Sequence, residues 1–439
     1  FRSYANNSFS SKKYSAWAGG ALAPDQLFIY AIGQLEEQEL TSYPRTYEIN
    51  GNVIDRSVRM PYGLVSLDLN INSKHLFNIT AFNDTNRKTT AQYEADDSSG
   101  WVERGGFLGT DKYNSGGAAV IGKYDGALTD RLNLSLQYGE LTSKRENYQL
   151  APNGTIISYN GVVGDYNQPG CPYILYQSSY TDPLSTGTPS CYVDSTVSTL
   201  NGEDTRTAAR ADITYLLDNS SLGQHLLKAG YETDNWNTFY GESYAGGSYY
   251  RYGTYLGMDA VRVRHFQTGA DAGVETRAFY LKDDWQVTNK LLMQLGLRSD
   301  SFRNLNGDGI AYLKQDNILQ PRLGFALDMK GDATSKLYGS FGVYSLPVAA
   351  TVAVRGASAS IYSSQYFSYT AIDPVTGRPT LGSELSSLAF INHEDGSTPN
   401  PASVASQTLD PTIQNEFILG YQFQPNSDWT LGARLTYRD

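Results

Sequence analysis

Four histidines, His75, His225, His265 and His393, are the first residues to test for chemistry, and they are scattered, with no neighbour at metal-ligand or catalytic-triad spacing. They read as turn or loop histidines. Serine and aspartate are abundant, yet no Gly-x-Ser-x-Gly elbow and no phosphate-cradling Gly-Lys-Ser/Thr loop occurs, which leaves hydrolase and nucleotide readings without support. Asn304, Asn306 and Asp308, followed by Gly309, resemble the first half of a calcium loop, with Gln315 where a bidentate Glu should stand. The missing acid favours a plain polar loop, with those three residues kept as a weak metal candidate. No catalytic residue and no cofactor site is expected.

Cys171 and Cys191 lie in a Gly/Pro/Ser/Tyr-rich stretch without a zinc-ligand pattern. Pairing them would close a loop of about 20 residues, worth ~3 kcal/mol as chain entropy. A disulfide would fit an oxidising, extracytoplasmic compartment, and two unpaired loop thiols is the alternative. A third group of charges, Arg210, Asp212, Arg298, Arg322, Asp328, Glu416 and Arg434, falls at alternate positions of strand-like segments. They would either line a solute path or pair across strands inside a wall. Structural pairing is the expectation for most of them.

The elements that must position these residues are strands. Forty-two Gly and 34 Tyr, against 4 Met and 16 Pro in 439 residues, suit many strands joined by polar turns. Around Lys330 to Ser335, Leu323, Phe325, Leu327 and Met329 share one face and Arg322, Gly324, Ala326 and Asp328 the other; Leu337, Gly339, Phe341 and Val343 then oppose Tyr338, Ser340, Gly342 and Tyr344. The same alternation marks Val65 to Ile71 with Phe77 to Ala81, Leu132 to Tyr138, Ala209 to Leu217, Leu291 to Leu297, and Phe417 to Phe423 with Leu431 to Tyr437. About seven hairpins, hence about fourteen strands of roughly 10 to 14 residues, are expected, where ordinary globular strands average about 5 to 6.

Connections alternate in length. Short turns are expected near Pro24, Ser73, Gly126, Ser221, Thr288, Gly331 and Asn426, with long polar segments between them, the longest over Leu141 to Asp204 and Ser345 to Pro411. Short turns at one rim and long loops at the other are the habit of an all-β, antiparallel, up-and-down outer-membrane barrel, with periplasmic turns and extracellular loops. Their irregular spacing argues against a propeller, and fourteen long strands exceed what one open sheet usually holds. Phe28, Tyr30, Tyr138, Tyr215, Tyr280, Trp285, Tyr421, Trp429 and Tyr437 lie on or beside strands and would form interfacial girdles, unless they mark only the general strand preference of aromatics. A net charge of −11 and the absence of a Lys/Arg run remove nucleic acid as a partner. The longest apolar stretch, near Leu346 to Val354, is far short of the ~20 residues of a membrane helix. A mean hydropathy of −0.41 does not argue against a barrel, because only every second strand residue meets lipid.

Four stretches resemble TonB-dependent receptors, particularly the Oar-like group that carries a carboxypeptidase-regulatory-like domain: WAGGALAPDQLFIYA at Trp17 to Ala31, RAFYLKDDWQVTNKLLMQLGLRSD at Arg277 to Asp300, LQPRLGFALDMKGDATSKLYGSFGVY at Leu319 to Tyr344, and LDPTIQNEFILGYQF at Leu409 to Phe423. Each alone is a generic barrel hairpin, and their order carries the likeness. The resemblance implies a bacterial outer-membrane transporter with a signal peptide, a TonB box, a plug and a barrel of about 22 strands. It implies outer-membrane lipid, a TonB-type inner-membrane complex and a ligand held by extracellular loops as partners, the ligand itself unidentified. Residues 1–439 would then be a partial barrel cut at both ends, lacking signal, TonB box and plug. A passive porin, or a surface adhesin with Tyr- and Asn-rich loops, are the alternatives.

Overall fold

A computed structural model describes residues 6–44, 52–96, 102–150, 152–154, 156–157, 172–178, 180–184, 197–198, 202–219, 223–244, 247–405 and 409–439. In chain order the strands are β1 (Ser8–Ala23), β2 (Leu27–Ser42), β3 (Val53–Asn72), β4 (His75–Asn83), β5 (Asn86–Asp96), β6 (Glu103–Ala127), β7 (Leu132–Leu150), β8 (Ile156–Ile157), β9 (Tyr173–Tyr176), β10 (Val197–Ser198), β11 (Glu203–Asn219), β12 (Gly223–Tyr244), β13 (Tyr249–Tyr255) and β14 (Met258–Gln286). They continue as β15 (Leu291–Leu305), β16 (Ala311–Asp328), β17 (Ser335–Leu346), β18 (Ser360–Ile372), β19 (Pro379–Glu384), β20 (Ala389–Asp395), β21 (Thr412–Asn426) and β22 (Trp429–Arg438). Two short helices, α1 (Thr351–Gly356) and α2 (Pro401–Val404), lie on either side of β18 to β20. Among the described residues no helix is long and apolar enough to cross a membrane.

The wall is one antiparallel meander that runs β1, β2, β3, then β4 continued by β5, then β6, β7, β11, β12, β14, β15, β16, β17, β21 and β22. β4 and β5 form one wall strand because both pair with β3 on one side and β6 on the other, bent where Asp84 accepts the Gly117 amide at 2.8 Å. That makes fourteen wall strands, and six of the seven expected turn positions fall at or beside the short-turn rim, while Ser221, between β11 and β12, lies outside the described residues. Polar side chains tie those turns down. Thr288 Oγ1 accepts the amides of Lys290 and Leu291 at 3.2 and 3.1 Å, and Asn426 Oδ1 accepts those of Asp428 and Trp429 at 3.0 and 3.1 Å.

Strand length differs from the sequence expectation. β6 has 25 residues, β12 has 22 and β14 has 29, so pairing climbs well past the about 9 to 11 residues that a bilayer requires. Apolar alternation stops where the outer face leaves the lipid, but Tyr-, Thr- and Val-rich backbone goes on pairing. The described residues of the segments expected as long loops therefore hold folded structure, a crown above the wall. β13 turns back onto β14 through Leu256 and Gly257, both at positive φ (51° and 80°), a two-residue turn whose twist matches its strands. β9 lies parallel to β13, and β18 joins β14, with β19 and β20 on β18. Among the described residues β1 pairs with β2 alone and β22 with β21 alone, so the sheet has two open edges.

Candidate functional site on the inner face of the wall

The register separates the two faces. Leu134, Ile213, Ala229, Leu281, Leu297 and Pro321 are successive cross-strand partners from β7 to β16. One residue along each strand, Ser135, Asp212, Gly230, Tyr280, Arg298 and Gln320 form the neighbouring row on the opposite face. Ile213, Leu281 and Leu297 are 44%, 59% and 49% exposed, as are many others on their face, among them Phe279, Leu319, Leu323, Leu431 and Leu435. In water each such side chain would forgo roughly 1.5–3 kcal/mol of burial, so a continuous belt of them requires lipid. The polar row is the inside of the barrel.

On that inner face the charges form linked clusters. Arg210 Nε binds Asp212 at 2.9 Å, Lys228 reaches the same carboxylate at 3.3 Å, and the Tyr280 hydroxyl donates to Asp212 while accepting from Arg210 Nη2 at 2.8 Å. The hydroxyl end of the Tyr280 ring can take this position because Gly230 lies beneath it, where any Cβ would collide with it. Arg298 bridges Glu232 and Asp300, donating from Nε to Asp300 at 2.8 Å; Gln320 also donates to Asp300 and to Ser345 Oγ at 2.7 Å. Arg322 donates to Gln320 at 3.3 Å and stands 4.7 Å from the Tyr344 ring centroid. Glu416 accepts from Arg438 at 2.5 Å, and Arg434 projects from the same face opposite Gly420, exposed.

Of the seven charges singled out in the sequence, the structure brings Arg210 and Asp212 into one cluster and Arg298 and Arg322 into another. Glu416 and Arg434 lie apart. Asp328 is placed otherwise: at the end of β16 its carboxylate accepts the Gly331 and Ala333 amides at 2.8 Å each, tying a turn rather than facing a path. Glu232, Asp300, Gln320 and Tyr280 were missed, although Asp300 and Gln320 stand two residues from Arg298 and Arg322, the spacing that shares a face. On sequence alone Tyr280 belongs with the girdle. It faces inward, as do Phe28 and Tyr30 by register, while Tyr138, Tyr215, Tyr421, Trp429 and Tyr437 face outward.

The calcium-loop residues are engaged otherwise. Asn306 Oδ1 accepts the amides of Asp308 and Ile310 at 3.1 and 2.9 Å, Asn304 Nδ2 donates to Val348 O at 2.6 Å, and Gln315 Nε2 donates to Leu409 O at 3.1 Å. Among the described residues no group of three or more His, Cys, Asp or Glu could hold a metal. Cys171 and Cys191 lie outside the described residues.

β14 carries the inner face upward. It pairs with β12 from Gln286 to Gln267 without a register shift, and the even-numbered residues continue from Lys282 and Tyr280 through Ala272 to Arg264 and Arg262 in the crown. Ala272 packs with Tyr312, Leu313, Ala353 and Ala357, so the segment around α1 folds over the inner face at the mouth. A second cluster of Tyr250, Tyr252, Val261, Val263 and Tyr369 forms the core of the crown sheet. Burial pushes the hydroxyls of Tyr252 and Tyr369 above the ordinary tyrosine range and the His265 imidazole below its own, the latter opposed by a bond to Gly247 O at 3.3 Å.

The chain is similar to known proteins in the same sense. Over 275 residues it is 25% identical to the TonB-dependent transporter Oar of Myxococcus xanthus, covering 53% of this chain and 25% of that protein. The outer membrane transporter YddB from Escherichia coli superposes with a TM-score of 0.60 at 12% identity, covering 98% of this chain and 46% of the other. A ferric enterobactin receptor from Pseudomonas aeruginosa gives 0.50 at 11% identity over 98% of this chain and 50% of the other. No family profile matches. The class is thus a bacterial outer-membrane β-barrel of the kind formed by TonB-dependent transporters and receptors. Within that class the sequence similarity is to the Oar transporter. The chain spans about a quarter of the length of that curated relative and about half that of the solved ones.

Proposed function

We propose that these residues form most of the wall and crown of a TonB-dependent receptor, which captures a solute at the crown and passes it along the inner face, with no covalent chemistry. Energy would come from a TonB-type inner-membrane complex acting through a plug and TonB box contributed by sequence outside residues 1–439. The strands that close the barrel would likewise add to the open edges of β1 and β22, since unpaired backbone is costly in lipid. One observation carries the reading over a passive channel: the inner face of β14, charged at Asp284 and Lys282 and again at Arg264 and Arg262, runs without a register shift against β12 into a folded crown, part of which packs on it at Ala272. A capture surface continuous with a path is what a receptor needs.

The test is conductance together with coupling. Full-length protein in planar bilayers should be electrically silent until its plug is loosened by urea, and should bind the periplasmic domain of a TonB protein. Open, ohmic conductance by the untreated protein, or no TonB binding, would overturn this function.

A further inference from the structure

In the crown, Arg251 on β13 and Arg262 on β14 are direct cross-strand partners, and Arg264 lies two residues along on the same face. Like charges directly opposite one another destabilise a sheet unless something neutralises them. Carboxylates outnumber cations in this chain, 45 to 34, yet among the described residues none of these three arginines has one within ion-pair distance. Arg264 Nη1 donates to the Tyr362 hydroxyl at 3.3 Å, and the Nε atoms of Arg262 and Arg264 are shielded from solvent with no hydrogen-bond partner. A shielded guanidinium N–H without an acceptor is costly and calls for one.

The surroundings suit a ligand. The Tyr249 ring lies 5.9 and 6.0 Å from Arg262 and Arg264, and Tyr362 lies 5.7 Å from Arg264. Tyr255 stacks on Tyr366, the register partner of Arg262, at 4.2 Å. Rings on the flanks hold the guanidiniums in place, and the Nη donors that Tyr362 does not take are left for carboxylate or phosphate oxygens. Because β14 keeps its alternation, this face continues the inner face of the wall, turned from the lipid belt.

We propose that Arg251, Arg262 and Arg264 form the capture subsite for a soluble ligand bearing two or more carboxylate or phosphate groups. The inference deepens the receptor reading and rests on it for the direction of transfer; equilibrium binding needs no energy coupling, so the two fail separately.

The experiment titrates full-length protein in detergent micelles with inorganic pyrophosphate and with citrate, using trehalose as the neutral control, by calorimetry at low and at moderate salt. Saturable, salt-weakened binding of both anions is expected, and Arg262→Gln and Arg264→Gln should each weaken it roughly tenfold, with Arg→Lys at either position intermediate because charge survives and the fork does not. Heat-modifiable gel migration establishes that each variant is folded. Pyrophosphate should slow amide exchange in the Tyr249–Tyr255 and Met258–Gln267 segments of the wild type and leave it unchanged in the double Gln variant. No saturable anion binding, or equal affinity in folded wild-type and Gln variants, overturns the subsite. Wild-type TonB binding alongside that result would leave the receptor reading standing.

Discussion

Leu281→Arg gives the sharpest contrast between a lipid-facing and a water-facing wall. Leu281 is 59% exposed, in the middle of the outer row that runs from Leu134 to Pro321. β14 ends at the short-turn rim with Gln286, and about five residues at ~3.3 Å each along a strand tilted ~40° put Leu281 roughly 13 Å inside, near the middle of an apolar band ~25 Å tall. Arginine at that depth should cost about 2–4 kcal/mol, or roughly a hundredfold in the folding equilibrium. The same substitution on an exposed position of a soluble protein would stay within ~0.5 kcal/mol. The control is Gln294→Arg on the inner face, where Gln294 donates to Asp284 at 2.8 Å and a cation gains that carboxylate, for a change below about 0.5 kcal/mol. The assay is reversible folding of the full-length protein into phosphatidylcholine vesicles against urea, followed by tryptophan fluorescence and heat-modifiable migration. Equal costs for the two variants, or a neutral Leu281→Arg, would refute the assignment of faces.

Three further outcomes follow from the inner face and crown. Arg298→Met leaves Glu232 and Asp300 uncompensated and should cost about 2–3 kcal/mol, less than a fully dry pair because the Glu232 side chain is 28% exposed; adding Glu232→Gln should recover part of it in a double-mutant cycle. Gly230→Ala should lift Tyr280 off the wall and cost about 1–3 kcal/mol, after which Tyr280→Phe adds little, as read by the same urea assay. His265, held neutral by burial beside Ser248, Gly247 and its register partner Ser363, has a folded pKa below its unfolded value of 6.5. The unfolded state takes up a proton first as pH falls, so the stability His265 contributes is complete above about 6.5 and declines as pH drops through it toward the folded value. Amide exchange in crown peptides, corrected for intrinsic rates, should therefore accelerate below that pH in the wild type, and more weakly in His265→Gln.

Much of the wall was legible because lipid on one side and water on the other impose a period of two. Leu323 to Met329 and Phe417 to Phe423 show it without ambiguity, and turn residues such as Thr288 and Asn426 mark the rim. The crown was illegible for the same reason. Tyr249 to Tyr255, with rings and an arginine in succession, reads as loop because both of its faces are packed or wetted, and only its pairing with β14 reveals a strand. Asp283 interrupts the outer face of β14, where it pairs with His225 at 2.8 Å beneath Trp285, a contact between residues about sixty positions apart that no local pattern contains. The inner clusters fall between these cases. Arg298 and Arg322 were recognised as charges on a face, but their joining through Asp300 and Gln320 depends on register across β15 and β16. The Asn304 to Gly309 run has the spacing of a metal loop, but Asn306 Oδ1 accepts two backbone amides instead and Asn304 is held through its Nδ2.

The central claim is that alternate residues of β14 face lipid and an aqueous interior. It is tested by single cysteines placed at four consecutive positions, Phe279→Cys, Tyr280→Cys, Leu281→Cys and Lys282→Cys, in a Cys171→Ser, Cys191→Ser background of the full-length protein in outer-membrane vesicles. The cysteines at 280 and 282 should react with a small charged thiol reagent from water, while fluorophores at 279 and 281 should be quenched by nitroxide-labelled lipid. Uniform labelling, or lipid quenching at 280 and 282, would contradict it.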